Sequence, residues 1–222
     1  MILYLLLVLL SVGILFISLM YFTKNHKNFE KRDLNDDYMK TVLINYSITS
    51  FAFLGLLYYY TVVHTSQSTF DFKSVLVCLL LIDTVYYWIH RNTHRIPAIR
   101  SLIHSKHHEA FDLIPMDIFY LSTYDYCIYL FLILVFPMYV SNTSMIEHVF
   151  IGIFAGLHTL YLHEESEEPF IFPAFINSTF HKYHHQIGKG NYSIFFPFWD
   201  DYMGTRIHEP HAAPECTTVK NT

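Results

Sequence analysis

Charged side chains are scarce in this sequence. Asp, Glu, Lys and Arg make up 15% of its 222 residues, whereas an ordinary soluble domain carries about 25%. Cysteine is nearly absent too. Cys78, Cys127 and Cys216 are odd in number, widely spaced and never in a CxxC pair. This argues against a disulfide framework or a thiolate zinc site. Cys78 and Cys127 lie in apolar runs and are expected as small buried side chains. The net charge of −5 is spread along the chain with no basic stripe, so no nucleic-acid partner is expected. Internal repeats and low-complexity tracts are absent, and the length suits one domain.

Apolar and aromatic residues fill the space. The hydrophobic fraction is 53% and the aromatic fraction 18%, a mixture suited to bilayer helices with aromatic belts. The runs predict five transmembrane spans: Ile2 to Phe22, Val42 to Val63, Ser74 to about Trp88, Phe119 to Val140, and Met145 to Leu162. The first run is followed, not preceded, by basic residues. It therefore reads as an uncleaved anchor rather than a secretory signal. Lys24, Lys27, Lys31, Arg32 and Lys40 follow span one. Arg91, Arg95, Arg100 and Lys106 follow span three, and Lys182, Lys189, Arg206 and Lys220 follow span five. The opposite loops, 64–73 and 141–144, hold only Lys73. Alternating spans thus put almost every cation on one side, which the positive-inside rule makes the cytosol.

Histidine is over-represented, at 15 residues. His90 and His94 form HxxxH. His104, His107 and His108 form HxxHH, and His181, His184 and His185 repeat it. His163 stands alone, with His158 five residues before it. Residues three and four apart share a helix face, so each cluster is expected to project together. One cluster cannot enclose a metal, but four can enclose two. Isolated histidines such as His26, His64, His148 and His211 are read as incidental. Ligand softness alone leaves zinc and iron open. Unactivated C–H bonds of a membrane lipid call for a redox metal with O2, whereas zinc suits hydrolysis.

These residues resemble the membrane fatty acid hydroxylase and sterol desaturase superfamily. The resemblance spans roughly residues 75–207. It is carried by DTVYYWIHRNTHRIPAIRSLIHSKHH from Asp83 and by FINSTFHKYHHQIGKGNYSIFFPFWDDYMGT from Phe175. The Phe-Ile-Asn step is most similar to sterol C-5 desaturases. The resemblance implies an all-α integral membrane bundle with a cytosolic helical cap holding a histidine-rich di-metal site. The domains expected are an anchor with the second span over 1–70 and the desaturase-like domain over 71–222. Implied ligands are His90, His94, His104, His107, His108, His163, His181, His184 and His185, with no catalytic group separate from them. His158 is a further candidate, although it lies about 140° around a helix from His163.

The implied cofactors are two iron ions, replaceable by zinc in preparations, with O2 as co-substrate. The implied partners are a lipid drawn from the membrane (sterol, fatty acyl or sphingolipid) and a cytochrome b5-type donor with its reductase. No cytochrome b5-like segment is present, so electrons are expected from a separate protein. Endoplasmic reticulum is the expected membrane. Ser193 replaces a frequent Gly, Asp201 the usual Arg, and Glu164-Glu165-Ser166 the usual residues after the isolated histidine.

Asp83 lies seven residues before His90, roughly 10 Å deeper on the same face. It is expected either to hold a ligand's second nitrogen on a neighbouring helix or to bond a Ser or Tyr between helices. Asn191, Tyr192, Trp199 and Asp200 are read as supports behind the ligands or as packing. Glu109, Glu164 and Glu165 either orient ligands or lie in solvent. The competing functions are an inactive membrane scaffold and a metal transporter, whose ligands belong at the bilayer midplane on broken helices.

Overall fold

The computed structural model describes residues 16–17, 19–31, 33–60, 70–140, 143–166 and 172–208. Most of the expected first span, the loop 61–69 with His64, and the tail with His211 and Cys216 lie outside them. The described residues form helices and turns with no strand.

Four helices are long and apolar enough to cross a membrane. They are α1 (Asp36–Tyr58), α2 (Phe72–Arg95), α3 (Thr123–Val140) and α4 (Met145–Leu162). Each begins at a side-chain cap that satisfies an orphan amide. Asn35 accepts from Tyr38 N, Asp71 from Lys73 N, Ser122 from Asp125 N and Ser144 from Glu147 N. Two short helices follow, α5 (Ser178–Ile187) and α6 (Phe198–Tyr202).

The span boundaries differ from the expected ones for local reasons. α1 starts at its Asn35 cap rather than at the first apolar residue. α2 continues through the HxxxH segment to Arg95, with Pro97 just beyond. Residues Pro115–Phe119 form a 3₁₀ turn, so α3 begins only at Thr123. α3 carries a π turn at Phe131–Val135.

Packing separates lipid-facing from inward faces. Val75, Cys78, Leu79, Ile82, Asp83, Tyr87 and His90 of α2 are buried. Leu76, Val77, Leu80 and Leu81 are exposed, as are Phe51 of α1 and Ile146, Phe150, Ile153 and Leu157 on α4. So large an exposed apolar surface suits a bilayer, where lipid tails solvate it. Cys127 is exposed on α3, against expectation, while Cys78 is buried.

The bundle has two distinct ends. At one, Tyr60 donates to Thr143 O at 2.9 Å, and Asp71 N donates to Glu147 at 2.7 Å. His148 faces the Tyr60 hydroxyl there at 2.9 Å. At the other end the 23–31 segment joins the turns that carry the histidines. His26 Nε2 donates to Glu164 O, and Asn28 Nδ2 donates to Leu113 O. The histidine clusters all belong to this second end.

Candidate metal centre

Nine histidines converge into two groups. His90, His94, His104, His108 and His184 form one, and His107, His163, His181 and His185 the other. Within each group the candidate ligand atoms lie within 4.8 Å of one another. The two HxxHH clusters do not project together as expected: each splits. The i, i+4 pair His104/His108 goes to the five-histidine group, and His107 between them goes to the other. The pair His181/His185 joins the four-histidine group, and His184 crosses to the first. On α5 the reason is angular: four residues advance about 40° around the helix, whereas three fall about 60° short of a turn. In the 104–108 segment, a π turn over Arg100–His104 and a 3₁₀ turn over His107–Glu109 set the directions.

The ring nitrogens that face outward are held by acceptors. His90 Nδ1 donates to Tyr192 O at 2.8 Å, His184 Nδ1 to Gly190 O at 2.8 Å and His185 Nδ1 to Ala110 O at 2.9 Å. His163 Nδ1 donates to Thr159 O at 2.8 Å, and His104 Nδ1 lies 2.6 Å from Asp125 Oδ2. A carbonyl can only accept, so each such Nδ1 carries the proton and a neutral ring leaves Nε2 as a bare lone pair. His90 Nε2 and His104 Nε2 then face each other at 2.9 Å. His185 Nε2 faces His107 Nε2 at 3.0 Å and His181 Nε2 at 3.1 Å. Converging lone pairs repel, and a cation between them turns that repulsion into coordination. The donor set therefore fits a pair of first-row transition ions.

The electrostatics agree. Burial first, then neighbouring imidazoles, hold His104, His107, His181, His184 and His185 well below the ordinary histidine range. Burial also lowers His108 to about 4. These rings are neutral at physiological pH and need shed no proton to bind a metal.

A strap formed by residues 188–196 supplies much of the support. It turns at Gly190, whose φ is +79° and where a Cβ would come within 2.3 Å of Thr205 O, so glycine is required. Two carboxylates grip the strap. Asp200 accepts from Tyr192 N at 2.9 Å and Ser193 N at 2.8 Å. Asp83 accepts from Ile194 N at 3.0 Å and Phe195 N at 2.8 Å. Both expectations for Asp83 are thus corrected: it bonds backbone amides, neither a ligand ring nor a Ser or Tyr. Asn191 bridges Phe180 O and Ile207 N. Trp199 donates to Thr84 and stacks on Tyr87.

His158 is not brought into either group. Its Nε2 donates to Ile194 O at 2.9 Å, and its ring lies among Phe154, Phe175 and Phe195. The helical angle between positions 158 and 163 points them apart. Glu109 accepts from the Tyr120 hydroxyl, and Glu165 pairs with Lys182 at 3.0 Å. The Glu164 carbonyl accepts from His26.

Asp125 was missed by the sequence reading. The signal was available: like Asp83, it is an ionisable residue inside an apolar span. A cavity beside the four-histidine group is lined by His107, His163, His181, Asp125, Tyr126 and Tyr129 among others. An apolar cavity deeper in the bundle, bordered by Phe53, Ile133, Leu134 and Gly156, shares Ile118, Tyr126, Tyr129 and Thr159 with it.

Comparison with known proteins agrees with this geometry. The chain is 32% identical to rat lathosterol oxidase over 149 residues, covering 61% of this chain and 45% of that protein. The mouse lathosterol oxidase gives the same identity and coverage. Rat cholesterol 25-hydroxylase is 26% identical over 153 residues, covering 64% and 49%. The chain spans about half the length of these relatives. No solved structure matches. The fatty acid hydroxylase family model matches residues 75–205, from within α2 through both histidine groups and the strap, and the chain belongs to that family.

Proposed function

We propose that this chain is an O2-dependent di-iron membrane oxidoreductase that hydroxylates or desaturates a lipid. The observation that carries the reading is the pair of all-histidine groups at one end of a lipid-facing bundle. The relatives named for lathosterol and cholesterol make a sterol the first substrate to test, ahead of fatty acyl and sphingolipid substrates. Residues 71–222 are read as the oxidising domain and 1–70 as its membrane anchor. The nine histidines act as the metal ligands.

Iron, when bound, supplies the O2 chemistry needed to break an unactivated C–H bond. The chain's own residues do the rest. Backbone carbonyls and Asp125 hold the Nδ1 protons, so that Nε2 lone pairs point inward. Ile118, Leu121, Leu162 and Ile194 give the adjoining cavity apolar walls that exclude water. The shared border at Ile118, Tyr126, Tyr129 and Thr159 offers a route from the bilayer to the four-histidine group. Retention of a hydroxyl or loss of a second hydrogen depends on the substrate's pose in that cavity.

Oxidation with O2 consumes two electrons from outside, and we read a cytochrome b5-type donor with its reductase as their source. The positive-inside rule supports reading the cation-rich end, which carries the histidines, as cytosolic, with endoplasmic reticulum as the membrane. A metal transporter fits poorly, because the groups sit at the ends of the spans rather than on broken helices at the midplane. The test is purified protein supplied with O2, a reductant and a lipid extract. Metal-dependent appearance of an oxidised lipid supports the reading. No product from iron-loaded protein on sterol, acyl and sphingolipid fractions favours the inactive scaffold.

A further inference from the structure

The two histidine groups are built alike from imidazole but supported differently. Behind the five-histidine group stands a carboxylate: Asp125 Oδ2 lies 2.6 Å from His104 Nδ1. The other Nδ1 donors described above, His90, His184, His185 and His163, meet backbone carbonyls. A carboxylate on the outer N–H fixes ring and tautomer more firmly than a carbonyl and makes the inner nitrogen a stronger donor.

The groups also differ in what they face. His107, His163 and His181 of the four-histidine group line the cavity, and no member of the five-histidine group does. Asp125 is the only carboxylate among the described residues lining it. Its own place is fixed twice over. It sits in the first turn of α3, where Ser122 Oγ accepts from its backbone N–H, and Ser122 in turn donates to Ile103 O beside His104.

We propose that Asp125 is a positioning residue that makes the two metal positions unequal. It locks His104 into the five-histidine group, which holds its ion tightly. The four-histidine group is left as the more labile position and the one that meets the substrate. This inference rests on the di-metal reading above.

The test is chelator extraction of the purified full-length holoprotein, with retained metal measured by mass spectrometry. The wild type should lose one ion quickly and one slowly. Asp125→Asn, nearly isosteric, should speed the slow phase about 10–100-fold and leave the fast phase in place. Asp125→Glu, which keeps a carboxylate, should fall between the two. His104→Ala should remove the slow ion and His163→Ala the fast one. Two wild-type ions leaving at one rate would overturn the inequality. So would Asp125→Asn changing both phases alike, or neither. A Glu variant as fast as the Asn variant would make side-chain fit rather than charge the cause, and would overturn the assignment as well. A wild type that purifies without transition metal overturns both this inference and the di-metal reading. Two ions with no effect of Asp125 overturns this inference alone.

Discussion

The two halves of α2 are built by different rules. Between Phe72 and Leu81 the helix exposes Leu76, Val77, Leu80 and Leu81, and its inward side chains are apolar. From Asp83 onward polar groups reach more than one hundred residues along the chain. Asp83 meets Ile194 and Phe195, Thr84 meets Trp199, Tyr87 meets Thr205 and His90 meets Tyr192. The first half needs only to be apolar and helical, because lipid solvates whatever the bundle does not cover. The second half needs particular atoms at particular places, because an unmet buried polar group costs about 1–3 kcal/mol. Tolerance to substitution should therefore change sharply along a single helix.

The largest effects should come from the histidines themselves. His184→Ala opens the five-histidine group, and His107→Ala opens the other. Each should cost one ion per chain and reduce product by more than the roughly 10–100-fold typical of losing a support behind a ligand. Metal analysis alongside product formation checks both. A variant keeping both ions and full activity would break the comparison.

Next comes the strap. Asp200→Ala leaves the amides of Tyr192 and Ser193 without their acceptor. It should destabilise the protein by about 2–5 kcal/mol, read as a lowered thermal midpoint in detergent. Asp83→Leu should behave similarly through Ile194 and Phe195. A Leu80→Ala control on the lipid-facing half should stay within about 0.5 kcal/mol of wild type.

Acid should act on the histidine end of the bundle. His108 has a folded-state pKa of about 4 against the ordinary 6.5. His104, His107, His181, His184 and His185 are lowered as well. Between those values the unfolded chain binds more protons than the folded one, so stability falls as pH drops from about 6.5 towards 4. Thermal midpoints of metal-free protein across that window should decline with acid. A flat profile would contradict neutral burial of the cluster.

The smallest effect among the histidines near the site should be at His158. Its ring bonds Ile194 O and packs on phenylalanines. His158→Ala should keep both ions while losing about 2 kcal/mol of stability through the cavity it leaves. Loss of an ion would make it a tenth ligand.

Legibility in the sequence followed the same division. Apolar runs locate helices wherever burial or lipid selects composition alone, and four spans could be read with boundary errors only. Histidine spacing at three and four residues marked eight of the nine residues that converge, and the family resemblance supplied His163. The split of each HxxHH between two groups was hidden, because it depends on the π turn at Arg100–His104 and on the His184 ring reaching those of His90 and His94. The partner of Asp125 and the strap carbonyls were hidden for a related reason, although Asp125 itself could have been read as a charge in a span. A backbone acceptor has no residue type, and a carboxylate's partner lies on another element. Asp83 stood out as a charge in a span, yet its partners are amides that no pattern announces.

Metal stoichiometry of the purified full-length protein tests the di-metal centre most directly. Elemental analysis should find about two transition ions per chain, falling to about one in both His184→Ala and His107→Ala. Folded wild-type protein that binds no transition metal, even when iron is supplied during expression, would contradict it.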